Sequence, residues 1–316
     1  MIDFAVVIPI GPGQKEIDRV DDLLDSIRHY EPQTPWLIFI DDDQEARQLA
    51  KKFRMPVNCT AVSILNPRRG RGRGDRDGLC IANLVALSWL NEHTNVRFAI
   101  KMDSDALVIA PFAQKLQLAF EASSGVGIIG SGYMLTCNQE PRNFAKDGYS
   151  MRKLRSPIAI WREPLTPGQH IQISLWGRLK TVRSHVLTAI ENGYHPGEHC
   201  QGGAYAMSAQ FIRLMAIRGY LQDPLLWRDI PCCEDVMMGM YARAVGLYSK
   251  DFNDTNQVFG IQHTGLPYTP EQLLDRGYSL IHSIKNDPNF SEEQIREFYR
   301  NLRNARSTGK RIELEQ

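Results

Sequence analysis

The stretch FAIKMDSDALVI, residues 98–109, sets two carboxylates into a run of apolar and β-branched residues. It predicts a buried strand that ends at Asp103 and Asp105, which point to the same side in an extended chain. Two like charges beside a core disfavour each other's ionisation, so a compensating charge is expected. A divalent cation would supply it, because carboxylate oxygens suit Mg²⁺ or Mn²⁺. The competing interpretation is a strand-end turn in which the aspartates cap backbone N–H groups.

Strands and helices alternate on the N-terminal side of this segment. Apolar runs predict buried strands at 4–10 and 35–43, and 58–65 predicts a third strand. The helices between the strands are expected at 14–30, 45–53 and 79–93. This alternation predicts an α/β fold with a mostly parallel sheet and helices on both faces. Ligands of such sheets bind at the carboxyl ends of the strands, so a site is expected at that edge.

An arginine-rich loop, NPRRGRGRGDRDG at 66–78, follows the third predicted strand. Its glycines let backbone N–H groups approach an anion, and arginine forks bind phosphate oxygens bidentately. The alternatives are a flexible solvated loop or a nucleic-acid contact. Because the loop lacks aromatic residues for base stacking, phosphate is the favoured ligand.

The second half of the chain is less regular, and residues 138–200 are polar and hard to assign. Gly202 and Gly203 precede a predicted strand and permit backbone conformations that are closed to other residues, often where a ligand passes close by. Glu234 and Asp235 open a predicted helix, where acids also simply complement the helix dipole. His263 follows an apolar run, at another strand end, although a lone histidine is more often a hydrogen-bonded core residue.

The composition excludes several classes of protein. The chain has 316 residues, 43% hydrophobic, and its 37 Lys plus Arg balance 36 Asp plus Glu. It therefore has no global attraction to nucleic acid or anionic membranes. No apolar stretch approaches the roughly 20 residues that cross a bilayer, and the first residues predict a strand rather than a signal peptide. Six cysteines without a CxxC pair indicate reduced thiols and a cytoplasmic protein.

Taken in order, these segments resemble the GT-A glycosyltransferases, metal-dependent enzymes that use nucleotide-sugar donors. VVIPIGPG (6–13) is similar to their first strand and nucleotide loop, and 71–108 is similar to the helix and strand that lead to the DxD aspartates. GGAYAMS (202–208), PCCEDV (231–236) and QHTG (262–265) look most like the inverting Fringe and β-1,3-galactosyltransferase branch.

The resemblance implies one GT-A domain over 1–316. Residues 1–110 would form the nucleotide-sugar-binding half, 111–265 the acceptor-binding and catalytic half, and 266–316 a set of C-terminal helices. Oligomeric state is not implied.

The resemblance also implies roles for individual residues. Asp105 would bind the metal directly, Asp103 would hold the ribose or a metal-bound water, and His263 would be a further metal ligand. Asp235 would be the general base, with Glu234 as the second candidate. The remaining donor-site residues would be Asp41 or Asp42 at the nucleoside, Arg71 and Arg73 at the diphosphate, and Pro9, Gly11, Asn83, Gly202 and Gly203 around them.

The expected activity is inverting transfer of a sugar from a nucleotide-diphosphate donor, with UDP as the commoner nucleotide, to a hydroxyl of a glycan or other acceptor, assisted by Mn²⁺ or Mg²⁺. Three alternatives stay open: a retaining transferase on the same fold, a sugar-nucleotide pyrophosphorylase, and a non-catalytic nucleotide- or glycan-binding module. The pyrophosphorylase fits less well, because GPGQKE after the first strand is short for its glycine-rich signature.

Overall fold

The computed structural model describes residues 2–71, 77–132, 173–195, 198–230, 232–252 and 258–307. Their strands are β1 (Phe4–Ile10), β2 (Trp36–Asp41), β3 (Thr60–Leu65), β4 (Phe98–Met102), β5 (Leu107–Val108), β6 (Val126–Gly130), β7 (Ala204–Ser208), β8 (Tyr248–Asp251), β9 (Phe259–Ile261) and β10 (Leu280–His282). Their α-helices are α1 (Gln14–Tyr30), α2 (Leu49–Lys52), α3 (Leu79–His93), α4 (Ala113–Glu121), α5 (Ile173–Glu191), α6 (Ala209–Ile217), α7 (Glu234–Ala244), α8 (Pro270–Asp275) and α9 (Glu292–Ser307).

Seven strands form the central sheet, in the order β3-β2-β1-β4-β7-β6-β8. The first four are parallel neighbours, β7 runs antiparallel to β4 and β6, and β8 is parallel to β6. The predicted mostly parallel α/β sheet is therefore confirmed. Successive strands move outward from β1 to β3, and β4 then returns to the other side of β1. The carboxyl ends of β1 and β4 thus flank a switch point, where open α/β sheets bind ligands.

Helices cover both faces of the sheet. Phe98, Ile100 and Met102 of β4 belong to the apolar cluster that includes residues of α1 and α4. Ala99 belongs to the opposite cluster, with residues of α3, α6 and α7. All seven residues of β1 are buried, as its continuous apolar run predicts for a strand covered on both faces.

A second, three-stranded sheet has the order β5-β10-β9. Leu280 and Ile281 of β10 pair antiparallel with Val108 and Leu107 of β5, and β10 runs parallel to β9. The tail therefore contains a strand where the sequence predicted only C-terminal helices. A strand forms because the apolar residues of β10 bury themselves against β5 and β9, which local periodicity along 266–316 does not reveal.

The last helix packs against α1. Ser291 and Gln294 form the capping box that their spacing predicts, with Ser291 N to Gln294 Oε1 at 2.8 Å and Gln294 N to Ser291 Oγ at 3.2 Å. Ile295, Tyr299 and Leu302 are buried in one apolar cluster. Among the described residues, none of the helices combines the length and apolar character that a bilayer-spanning segment requires.

Helix α2 is shorter than predicted, with four residues in place of the nine at 45–53. The cause is Arg47, whose backbone N–H and guanidinium both bind Asp41 at the end of β2. That contact holds the chain out of the helix, and Gln48 then takes a left-handed conformation with φ 50° before the helix begins. Most of the irregular segment predicted at 138–200 lies outside the described residues; α5 is its main described element.

Candidate functional site

A cavity of about 430 Å³ opens at the carboxyl ends of β1 and β4. Its walls come mostly from the ends of strands and helices. They include Pro9 and Gly11 after β1, Asp42 after β2, Asp103, Ser104 and Asp105 after β4, Gly202 and Gly203 before β7, Glu234 and Asp235 at the start of α7, and His263, His282, Ser283 and Lys285 near β9 and β10.

Asp103, Asp105 and His282 form a candidate metal centre inside this cavity. One potential ligand atom from each lies within 4.8 Å of the other two. His282 Nε2 is 3.3 Å from Asp105 Oδ1 and 3.6 Å from Asp103 Oδ2. Two carboxylates and one imidazole suit a divalent ion such as Mn²⁺ or Mg²⁺. The donor set therefore fits the metal that the sequence predicts, with His282 as its histidine.

The imidazole of His282 is held in the orientation that a metal ligand needs. Its Nδ1 lies 3.0 Å from the carbonyl oxygen of Gln262. A carbonyl only accepts, so Nδ1 carries the proton and, in the neutral ring, Nε2 presents its lone pair to the two aspartates. Burial lowers the pKa of His282, but the charge of Asp105 raises it more, and the net shift is upward. The two aspartates therefore favour either a bound cation or a proton at Nε2.

Asp105 is almost fully buried and is supported on its second oxygen. Ser283 Oγ donates to Asp105 Oδ2 at 2.9 Å, and Lys285 Nζ lies 3.3 Å from the same oxygen. Burial alone would raise the pKa of Asp105, but His282 and Lys285 hold it below its ordinary value. Asp105 is therefore ionised at neutral pH, as a metal ligand must be.

Gly202 and Gly203 make room for two site side chains. A Cβ on Gly203 would stand 2.1 Å from His282 Nδ1, and one on Gly202 would stand 2.9 Å from Glu234 Oε1. Neither glycine has a positive φ. The sequence-based reason for this pair, an unusual backbone conformation, is therefore wrong. The glycines are needed because His282 and Glu234 pack directly against the backbone.

Lys101 is a fully buried lysine in the central strand β4, where a charged side chain is rare. Its Nζ lies 2.6 Å from Asp103 Oδ1 and 2.8 Å from Glu234 Oε1, and it donates to the carbonyl of Gly202. Burial lowers the pKa of Lys101, but the two carboxylates outweigh burial and the net shift is upward. Lys101 therefore carries a positive charge between the candidate metal centre and α7.

Glu234 and Asp235 open α7 and differ in their surroundings. Burial raises the pKa of Glu234 to about 7, against the lowering effect of Lys101. Asp235 lies at the cavity wall, with Oδ2 3.8 Å from His199 Nε2. Gly239, one turn further along α7, lets His199 approach the helix, because a Cβ there would meet His199 Cβ at 2.6 Å.

The aspartates after β2 have arginine partners. Asp41 is buried and binds Arg47, with Arg47 Nε to Asp41 Oδ1 at 2.8 Å. Asp42 lines the cavity and is bound by Arg68, with Arg68 Nε to Asp42 Oδ1 at 2.8 Å. Of the two candidates for the nucleoside contact, Asp42 is the one on the cavity wall.

The other predicted donor-site residues have mixed placements. Arg71 is exposed, and its carbonyl accepts from Arg68; Arg73 lies outside the described residues. Asn83 is buried within α3, where its amide donates to Leu79 O at 3.0 Å, while Leu79 itself reaches the cavity. Their diphosphate and donor-site roles remain predictions.

His263 lies on the wall of the same cavity, but the described cluster of potential metal ligands contains His282 instead. His263 follows β9 and His282 ends β10, and these strands are parallel. A histidine at a strand end, the pattern that singled out His263, therefore also describes His282. The difference is that β10 pairs directly with β5, the strand after Asp105, whereas β9 is one strand further away. The ligand role predicted for His263 remains a prediction.

The site also contains residues that sequence reasoning missed, namely His282, Ser283, Lys285 and Lys101. The available signal for the first three was the short apolar run Leu280–Ile281, bounded by Gly277 and Pro288, which is compatible with a brief strand. Lys101 had a signal too, since a lysine inside a continuous apolar strand requires a buried partner.

No protein-family model matches the chain, and no curated protein matches it in sequence. Its structure is similar to that of the galactosyltransferase LgtC in complex with donor and acceptor sugar analogues, with a TM-score of 0.50 and 11% identity over 94% of this chain and 95% of LgtC. This likeness, together with the sheet described above, gives the chain the GT-A glycosyltransferase fold.

Two other solved structures are similar at lower scores. The apo structure of the bifunctional glycosyltransferase WbbM has a TM-score of 0.49 and 10% identity over 96% of this chain, which spans 49% of the WbbM chain. The mannosyltransferase PcManGT from Pyrobaculum calidifontis, in complex with GDP-Man and Mn²⁺, has a TM-score of 0.40 and 13% identity over 80% of this chain and 55% of its own.

Proposed function

We propose that the protein is a metal-dependent glycosyltransferase that moves a sugar from a nucleotide-diphosphate donor to a hydroxyl acceptor. One observation carries the proposal: the Asp103–Asp105–His282 cluster and the carboxylate of Asp235 line a single cavity at the switch point of a GT-A sheet. The likeness to LgtC, whose structure holds donor and acceptor sugar analogues, supports the same kinds of ligand here.

The proposed donor site lies between β1 and β4. Asp103, Asp105 and His282 would hold Mn²⁺ or Mg²⁺, which when bound acts as a Lewis acid on the departing diphosphate. Lys285 lies 3.3 Å from Asp105 and at the cavity wall, so its ammonium is placed to bind a phosphate oxygen. Pro9, Gly11 and Asp42 line the part of the cavity where the nucleoside would lie.

Asp235 is the proposed general base, and the chemistry is proposed to be inverting. Its carboxylate reaches the cavity, where it would accept the proton of the attacking acceptor hydroxyl. Glu234 is less suited, because its side chain is only 6% exposed and its Oε1 is bound to Lys101 at 2.8 Å. Glu234 is therefore proposed to pair with Lys101, and Asp235 to take the proton of the acceptor hydroxyl.

The first test is binding. Calorimetry of UDP and GDP with and without Mn²⁺ is expected to show nucleotide binding that the ion tightens. A non-catalytic module predicts no such dependence. A thermal-shift screen of nucleotide sugars, with Mn²⁺ and with a chelator, then identifies the donor.

The second test is the variant Asp235→Asn. General-base catalysis is worth about 10²–10⁴-fold, so sugar transfer should fall by about that factor while UDP still binds. Glu234→Gln, one residue away, keeps the proposed base, so at saturating Mn²⁺ its transfer rate should fall much less. Wild-type transfer rates in Asp235→Asn would refute the base assignment, and NMR of the product anomer would distinguish inverting from retaining transfer.

A further inference from the structure

Lys101 has three acceptors around its ammonium and no exposed surface. They are Asp103 Oδ1 at 2.6 Å, Glu234 Oε1 at 2.8 Å and the carbonyl of Gly202. An ammonium has three N–H donors, so its hydrogen-bonding capacity is filled. A buried charge is tolerated only when it is paired and hydrogen-bonded in this way.

The sequence register explains why a lysine reaches all three. Lys101 lies opposite Tyr205 of β7, and its Nζ is 5.6 Å from the centre of that ring. The side chain therefore lies on the face of the sheet that α7 covers. Asp103, two residues further along, follows the same strand, so one side chain connects the end of β4 to the first turn of α7.

The charges of Lys101, Asp103 and Glu234 would balance differently with and without a divalent ion at Asp103. When both are ionised, Asp103 and Glu234 each contribute a negative charge, and Lys101 can fully neutralise only one of them. A divalent ion at Asp103 would take over that carboxylate and leave Lys101 to Glu234. Lys101 and the ion thus compete for Asp103, while Glu234 draws Lys101 away from it.

We propose that Lys101 is a positioning residue that connects the candidate metal centre to the first turn of α7: it shares its ammonium between Asp103 and Glu234 and shifts toward Glu234 when a divalent ion binds. This inference rests on the metal centre of the proposed function. It links metal binding to the helix turn that carries Asp235, the proposed base.

The test is the affinity of Mn²⁺ alone, measured by calorimetry on the full chain. Lys101→Met removes the competing cation, so Mn²⁺ should bind about tenfold more tightly or more. Glu234→Gln leaves Lys101 to Asp103 alone, so Mn²⁺ should bind about tenfold more weakly. Lys250→Met, which removes a positive charge from β8, is the matched control and should leave the affinity unchanged.

A second readout follows the helix. Hydrogen exchange of the backbone amides at 236–238 should slow when Mn²⁺ is added to the wild-type protein, and this response should be absent in Lys101→Met. A lysine that only fills space predicts the same Mn²⁺ response in both. If Lys101→Met does not fold, the weaker binding expected for Glu234→Gln still decides.

The outcomes separate this inference from the proposed function. Wild-type Mn²⁺ affinity in both site variants would overturn the role of Lys101 and leave the metal centre intact. Absence of Mn²⁺ binding to the wild-type protein would overturn both. Opposite shifts in the two variants, with an unchanged Lys250→Met control, would support the inference.

Discussion

Two pairs of aspartates lie at the carboxyl ends of β2 and β4, on either side of β1 at the same edge of the sheet, and they have different surroundings. Asp41 ends β2 and Asp42 follows it, and each is bound by an arginine. Asp103 and Asp105 follow β4, and both face the imidazole Nε2 of His282 across 3.3–3.6 Å. Both pairs end a predicted buried strand, although Asp41 and Asp42 are adjacent and Asp103 and Asp105 are one residue apart.

The difference teaches that the partner, and not the acidic pair, decides the role. An arginine fork fills a carboxylate bidentately and stays charged, so it fixes a loop. A neutral histidine instead adds a lone pair to those of the carboxylates, so the group can bind a cation. Asp41, which lies off the cavity wall, is accordingly expected to stabilise the fold, and the pair after β4 to carry the chemistry.

The largest expected effect separates the two pairs directly. Asp105→Asn should reduce sugar transfer by about 10⁴-fold, because a metal contributes several kcal/mol to stabilising a departing diphosphate. Asp41→Asn should leave transfer within about threefold but cost about 3–5 kcal/mol of stability, because it leaves Arg47 without its buried partner. Steady-state kinetics and urea unfolding measure the two quantities.

Equal losses of activity in Asp105→Asn and Asp41→Asn at matched folded fractions would remove the distinction between the pairs. Circular dichroism of both variants provides the control for folding.

A smaller effect is expected from glycines that make room for the two partners. Gly203→Ala would push His282 away from the aspartates, so Mn²⁺ affinity should fall by about 10–100-fold. Gly78→Ala would instead press on the guanidinium of Arg68, 2.7 Å from the added Cβ, and should lower the melting temperature with little change in Mn²⁺ affinity. Calorimetry and thermal unfolding of both variants measure these changes.

If Gly78→Ala weakened Mn²⁺ binding as much as Gly203→Ala, the contact of Arg68 with Asp42 would not be independent of the His282 site. The contrast between the arginine and histidine partners would then need revision.

The smallest expected effect concerns a distant support of the pair after β4. Ser104 donates to Glu16, which binds Arg19 at 2.5 Å, and Arg19 binds Glu292 of α9 at 2.7 Å. Glu292→Gln weakens the last contact, so the melting temperature should fall by about 2–4 °C with transfer nearly unchanged.

The pH dependence of that effect has a defined sign. Burial would raise the pKa of Glu292, but Arg19 and Arg296 lower it to about 2 from its ordinary 4.5. A carboxylate whose pKa is lower in the folded state stabilises the fold at pH values above its unfolded-state pKa. That stabilisation is lost as the pH falls through the folded-state pKa. The difference in melting temperature between wild type and Glu292→Gln should therefore persist at neutral pH and shrink below about pH 4.5. A constant difference down to about pH 3 would contradict the charge-based explanation.

The sequence predicted the central sheet well, because buried parallel strands are continuous apolar runs. The bounds of α1 and α3 match those predicted from periodicity, at Gln14–Tyr30 and Leu79–His93. Helix α2 did not match, because the contact between Arg47 and Asp41 overrides helix propensity there. Local patterns predict elements whose stability is local, and fail where a contact with another strand decides.

The candidate site was predicted in part for the same reason. The aspartates after β4, and Gly202, Gly203, Glu234 and Asp235, line the predicted cavity because each follows or precedes an element that the sequence identifies. His282 was missed, since the run Leu280–Ile281 signals only a brief strand and the position of that strand depends on the pairing of β10 with β5. That pairing joins residues far apart in the chain and leaves no periodic signal.

The pairing of β5 with β10 also has a consequence for how the protein is made. Ser283 and its partner Asp105 are separated by 178 positions, so a ribosome exposes the acidic pair long before it adds the histidine. Until β10 joins β5 in register, the growing polypeptide has both carboxylates and no imidazole beside them. A slip of one residue would turn His282 to the opposite face. The ability to capture an ion through this group is therefore acquired only after β10 has been synthesised and has paired with β5.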